Sequence, residues 1–118
     1  MANPRISGVA QENPGPDSVL SLYLELHSLT ESMRQHAGDG DWEKVAALEK
    51  QRQLLIERLA GRDVGEREVE NVREIVQHIM ELNTELLAAS AALRDTLAAD
   101  LTDLKRSRKA ENAYRKNR

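Results

Sequence analysis

The sequence predicts an all-α fold: an antiparallel three-helix bundle or hairpin with a long third helix and room for a short C-terminal helical tail. Three observations carry that prediction. The 118 residues are 40% hydrophobic but include no Phe, one Trp and two Tyr, so the aromatic and β-branched residues that pleated sheets use are scarce beside Leu, Ala, Glu, Arg and Gln. Apolar residues recur at alternating spacings of three and four, the period of a helix with one buried face. Clusters of Gly, Pro and Asp separate these periodic stretches, as turns between helices would.

Residues 1–16, MANPRISGVAQENPGP, have no apolar periodicity and are expected to form a disordered arm. Asp17 or Ser18 then offers a side-chain oxygen to the free N–H groups of a first helix, about 18–37. Val19, Leu22, Leu26, Leu29 and Met33 form its stripe, which Leu20 and Leu24 widen. Gly38-Asp39-Gly40 ends it, and Asp41 is the expected cap of a second helix over about 42–60. There Val45, Leu48, Leu55 and Leu59 keep the period with Leu54 and Ile56 beside them, and Trp42 is expected to anchor the start between helices. Arg52 interrupts the seam and is expected to pack its stem while its guanidinium reaches water. Gly61 suits a left-handed terminal cap, and Asp63 with Glu66 has the spacing of a capping box that opens the third helix.

The third helix, about 64–106, carries the longest signal: Val69, Val72, Val76, Ile79, Asn83, Leu86, Ser90, Leu93, Leu97 and Leu104, with Leu101 just off the seam. Asn83 and Ser90 are polar seam positions of the kind that fix register or helix pairing. At 1.5 Å per residue the first two helices are roughly 30 Å long and the third roughly 60 Å. About half of the third helix is thus expected to lack an intramolecular partner while remaining apolar. A stripe of that kind is expected to meet something: a second copy, a client helix or the chain's own terminus. The helical domain is accordingly set at 17–108, with 109–118 a basic tail.

Several chemistries are excluded or disfavoured. Without Cys there are no disulfides, thiolate nucleophiles or Cys-bound zinc. His27, His36 and His78 have no matching ligands at metal spacing, and Asp39-Gly40-Asp41 lacks the later ligands of a calcium loop. No phosphate-binding Gly loop or nucleophile elbow is present, so neither an enzyme, a bound metal nor a cofactor is expected. No apolar run suits a secretory signal or a membrane span, and the chain reads as cytoplasmic. The net charge of −3 divides into +6 for residues 105–118 and −9 for residues 1–104. Nucleic acid is not the expected partner for that basic end, because the acidic body repels it and Tyr114 is a thin stacking platform.

Four features then resemble a known family. They are the Leu-rich Val19–Met33 helix, Gly40-Asp41-Trp42-Glu43, the Leu48-Glu49…Arg52…Leu55-Ile56-Glu57 run, and Asn112-Ala113-Tyr114. Together, over most of residues 18–115, the chain resembles the flagellar protein FliT family of export chaperones. FlgN-like chaperones are similar in length and composition. The FliT resemblance implies a helical core without catalysis, a filament-cap client (FliD) kept soluble before type III export, and contact with components of the export ATPase complex. In some members it also implies restraint of a flagellar transcriptional regulator. The family's fourth, covering helix has little room here, since four residues follow Tyr114. On this reading the client-binding residues are Leu86, Leu93, Leu97, Leu101, Leu104 and Tyr114, with Trp42 a structural anchor. The alternatives are a structural protein that self-pairs as a homodimer, and a nucleic-acid or transcription-regulator binder acting through the basic tail.

Overall fold

A computed structural model describes residues 18–116, so the expected arm at 1–16 lies outside the described residues. These residues form three α-helices and no strand, the all-α class the sequence predicts. Helix α1 spans Val19–Gly38, α2 spans Trp42–Leu59 and α3 spans Val69–Lys116, the last entered through a short 3₁₀ turn at Glu66–Glu68. The chain divides into two units, Met1–Leu86 and Leu87–Arg118.

Local chemistry sets most helix ends in the first unit. The Ser18 hydroxyl accepts a hydrogen bond from the Ser21 N–H at 3.1 Å and opens α1. The Asp41 carboxylate does the same for α2, accepting from the Lys44 N–H at 3.2 Å. Gly40 and Gly61 follow the ends of α1 and α2 at φ +77° and +75°, backbone that costs an L side chain about 1 kcal/mol or more. The expected Asp63–Glu66 capping box does not form. Gly65 stands before the 3₁₀ turn, and its carbonyl accepts from the Glu68 N–H at 2.9 Å, so the backbone closes this turn without a side-chain cap.

The core of the first unit joins all three helices. Leu22 and Leu26 of α1, Leu55 of α2 and Ile79 of α3 form one buried cluster, with Tyr23, Leu29, Leu59 and Ile75 packed around it. Val19, Met33, Ala37, Val45, Leu48, Val72 and Leu86 complete the buried apolar set. Each such large aliphatic side chain contributes about 1.5–3 kcal/mol by leaving water. Leu24, Leu54 and Ile56, placed beside the stripes in the sequence, are exposed.

Arg52 departs from its expected course to water. Its Nη1 donates to the Asn83 Oδ1 at 2.6 Å and reaches the Thr30 hydroxyl at 3.5 Å. Its Nη2 pairs with Glu49 at 2.7 Å, outside hydrogen-bond alignment, and its side chain is only 15% exposed. Thr30 is fully buried and donates to the Leu26 carbonyl at 2.8 Å. The reason is pairing: Asn83 offers a neutral acceptor at seam depth and Glu49 a charge one turn away, so the guanidinium gains more inside than in solvent. One residue from each helix therefore meets at a single polar point within an aliphatic interface.

The third helix also ends later than its apolar pattern, at Lys116 rather than near 106. Residues 107–116 are helical throughout, with Arg115 and Lys116 in the last turn, where cations suit the helix dipole.

Asn83→Ala is expected to lower unfolding stability by about 1–3 kcal/mol, because it strands a mostly buried guanidinium. Arg52→Met with Asn83→Leu together should cost less than the sum of the single changes. Urea denaturation followed by Trp42 fluorescence measures both, and strictly additive losses would contradict the contact.

Candidate interaction surface

The two units present different chemistry. In the first, the sequence-predicted site residue Leu86 is 9% exposed and belongs to the core. It is therefore not part of a free surface, which corrects its expected place in the client-binding set. The Arg34–Glu85 ion pair at 3.5 Å ties α1 to α3 beside it, so the covered part of α3 reaches this far. Trp42 stands first in α2 and is half-buried, and Tyr23 packs against the core cluster.

The first unit also brings together two residues that sequence spacing left apart. The rings of His27 and His78 lie 5.9 Å apart between α1 and α3. A shallow cleft of about 200 Å³ is lined there by both, with Glu31, Glu81, Leu82 and Glu85. No three metal donors converge among the described residues. The pairing is not legible in the sequence because 50 residues of chain and two turns separate the histidines.

In the second unit a single helix carries the stripe. Leu93 is half-buried, and Leu97, Leu101 and Leu104 are 53%, 57% and 59% exposed. At 100° per residue these four leucines share an arc of about 80°, so the structure places them on one face. Tyr114, 69% exposed, sits about 100° around the helix from the centre of that face, outside the stripe. Leu87 is exposed about 80° from that centre, on the other side from Tyr114.

The same face continues beyond Leu104 at spacings of four, three and four into Arg108, Glu111 and Arg115. Arg115 pairs with Glu111 at 2.8 Å. The expected basic tail at 109–118 thus places Glu111 and Arg115 on the same three–four count as the leucines. One edge of the stripe carries Asp100 and Asp103, and the other carries Arg94 and Lys105. No helix among the described residues is long and apolar enough to cross a membrane.

A helix that keeps a leucine row exposed suits side-chain packing against another protein. Comparison with known proteins agrees: the family model for the flagellar protein FliT matches residues 20–117. The chain belongs to the FliT family. It is thereby a member of a family of flagellar export chaperones, and the matched region takes in the first-unit core and the exposed stripe alike. No curated protein and no solved structure gives a significant match to this FliT-family chain.

The two groups of leucines should separate in stability measurements. Leu86→Ala is expected to cost about 2–4 kcal/mol, whereas Leu101→Ala should stay within about 0.5 kcal/mol of the parent. Urea midpoints report the difference, and an equal loss at both positions would contradict the burial described.

Proposed function

We propose that this FliT-family protein is a cytoplasmic chaperone that holds a flagellar client on the α3 face formed by Leu93, Leu97, Leu101 and Leu104, with Tyr114 alongside. The observation that carries the proposal is the exposure of this regular leucine row on a stretch of helix some 30 residues long beyond Leu86. The client favoured by the family is the filament-cap protein FliD, presenting a C-terminal helical segment. Components of the export ATPase complex are second partners on the same reading.

Magnitudes describe what such a surface delivers. Burying the remaining exposed half of three leucines gains about 1 kcal/mol each at roughly 25 cal/mol per Å². Micromolar affinity requires about 8 kcal/mol beyond the cost of association. The leucine row therefore supplies the orientation of the contact and part of its energy, and polar or charged contacts beside it supply the rest. Weak individual contributions also suit a chaperone, which must release its client at the export apparatus.

Replacing Leu93, Leu97 and Leu101 together by Ser should abolish capture of the filament-cap C-terminal segment in a pull-down. Helical circular dichroism should remain nearly unchanged, because the replaced residues lie outside the first-unit core. Undiminished capture by the triple variant would place the client elsewhere.

A further inference from the structure

We infer that the partner helix which fits the α3 face is acidic over the part that lies beyond the leucines: an amphipathic helix with about three turns of apolar stripe followed by an acidic block. This rests on the proposed client surface and specifies the chemistry of its occupant. The face itself changes character along its length. Leu93, Leu97, Leu101 and Leu104 are succeeded on the same arc by Arg108, Glu111 and Arg115. Lys105 flanks that arc, Lys109 and Lys116 lie about 100–120° around the helix from its centre and Arg106 lies on the opposite side; all four are exposed, and Glu111 is the sole acid from 105 to 116. Neither Lys105 nor Arg108 takes part in an ion pair among the described residues, and Asp100 and Asp103 are equally without one. Arg115 is held only by an exposed pair with Glu111, the kind of contact that yields readily to a competing carboxylate.

A second copy of the chain fits this face poorly in either direction. Parallel pairing about a two-fold along the helix sets each seam residue against itself, so Arg108 meets Arg108 and Arg115 meets Arg115. Antiparallel pairing that matches Leu93 with Leu104 and Leu97 with Leu101 sets each edge against the same edge. Asp100 then lies close to its own copy, where opposed like charges are unfavourable. The apolar part of the seam is also under two heptads, shorter than the roughly three to four that sustain a coiled coil. A different chain relieves all three conflicts: its apolar turns cover the leucines and its carboxylates meet Arg108, Arg115 and Lys105. Because the acidic block can find the basic block in only one sense, the same pattern sets the direction in which such a helix lies.

The probe is a synthetic 24-residue helical peptide whose leucine stripe is followed by a Glu-rich block, compared with one in which Lys replaces each Glu. Fluorescence anisotropy at low salt should show the Glu peptide binding about tenfold tighter, with the preference fading near 0.5 M salt. In Arg108→Glu with Arg115→Glu, whose positions are exposed, the order should invert while circular dichroism stays unchanged. Equal binding of the two peptides, still lost on replacing Leu93, Leu97 and Leu101 by Ser, would overturn the acidic partner and leave the leucine surface standing. Binding of neither peptide, with filament-cap capture unaffected by the serines, would overturn both. Sedimentation velocity on the chain alone should give the same oligomeric state before and after those serines, and a dimer that they dissociate would overturn the case against self-pairing through this face.

Discussion

Helix length is the constraint on which the rest of this protein depends. Two helices of 20 and 18 residues are joined to one of 48. An antiparallel partner covers no more of a neighbour than its own length, about 30 Å for α1. The first unit takes α3 as far as Leu86, and about 45 Å of helix follows it. Apolar seam residues of α3 therefore differ in burial according to their position along it. Val72, Ile79 and Leu86 are core, whereas Leu97, Leu101 and Leu104 are surface, although nothing in their immediate sequence distinguishes them.

The point at which core gives way to surface has to be fixed, and aliphatic packing does not fix it well. Leucine and isoleucine contacts are non-directional, and a helix sliding by one turn exchanges one set for another at modest cost. The Arg52–Asn83 hydrogen bond is directional and tolerates no such slide. Moving α3 by a turn would leave a mostly buried guanidinium facing aliphatic carbon, at several kcal/mol. Thr30 on α1 adds the third helix to the same point, and the Arg34–Glu85 pair lies close in sequence to Leu86. Polar groups inside the bundle thus set the register that decides which leucines remain exposed.

This division explains what the sequence disclosed and what it withheld. Helix number, type and the stripes of the first unit follow from three–four periodicity, and Ser18, Asp41 and Gly61 act as caps where their local chemistry put them. Arg52 departs from its expected course because a charged residue in a seam has two outcomes, and the choice depends on whether a distant residue supplies an acceptor. Asn83 is 31 residues away, beyond any local rule. Leu86 is core rather than surface for a related reason: the last covered turn is set by tertiary register, not by composition. The expected box at Asp63 and Glu66 failed because the Gly65 backbone closed the turn first. The end of α3 was set short because its last ten residues lack apolar spacing, yet Arg, Lys, Ala and Glu are good helix formers without it.

An exposed leucine row is a hazard as well as a tool, and the residues around it bear on that. Contiguous apolar patches invite aggregation, and charges interleaved with them limit patch size. Here Asp100 and Asp103 line one edge, Arg94 and Lys105 the other, and the row narrows to single leucines about one turn apart. Such a stripe is too thin to collapse on itself and too weak to hold an arbitrary apolar chain firmly. It acquires strength only when a partner satisfies the edges and the charged continuation at the same time. The same charges that keep the free helix in water therefore set the condition for binding: an occupant must match their pattern as well as cover the leucines. A family whose members carry clients to export needs both properties in one surface, and a helix longer than its partners supplies the place to put it.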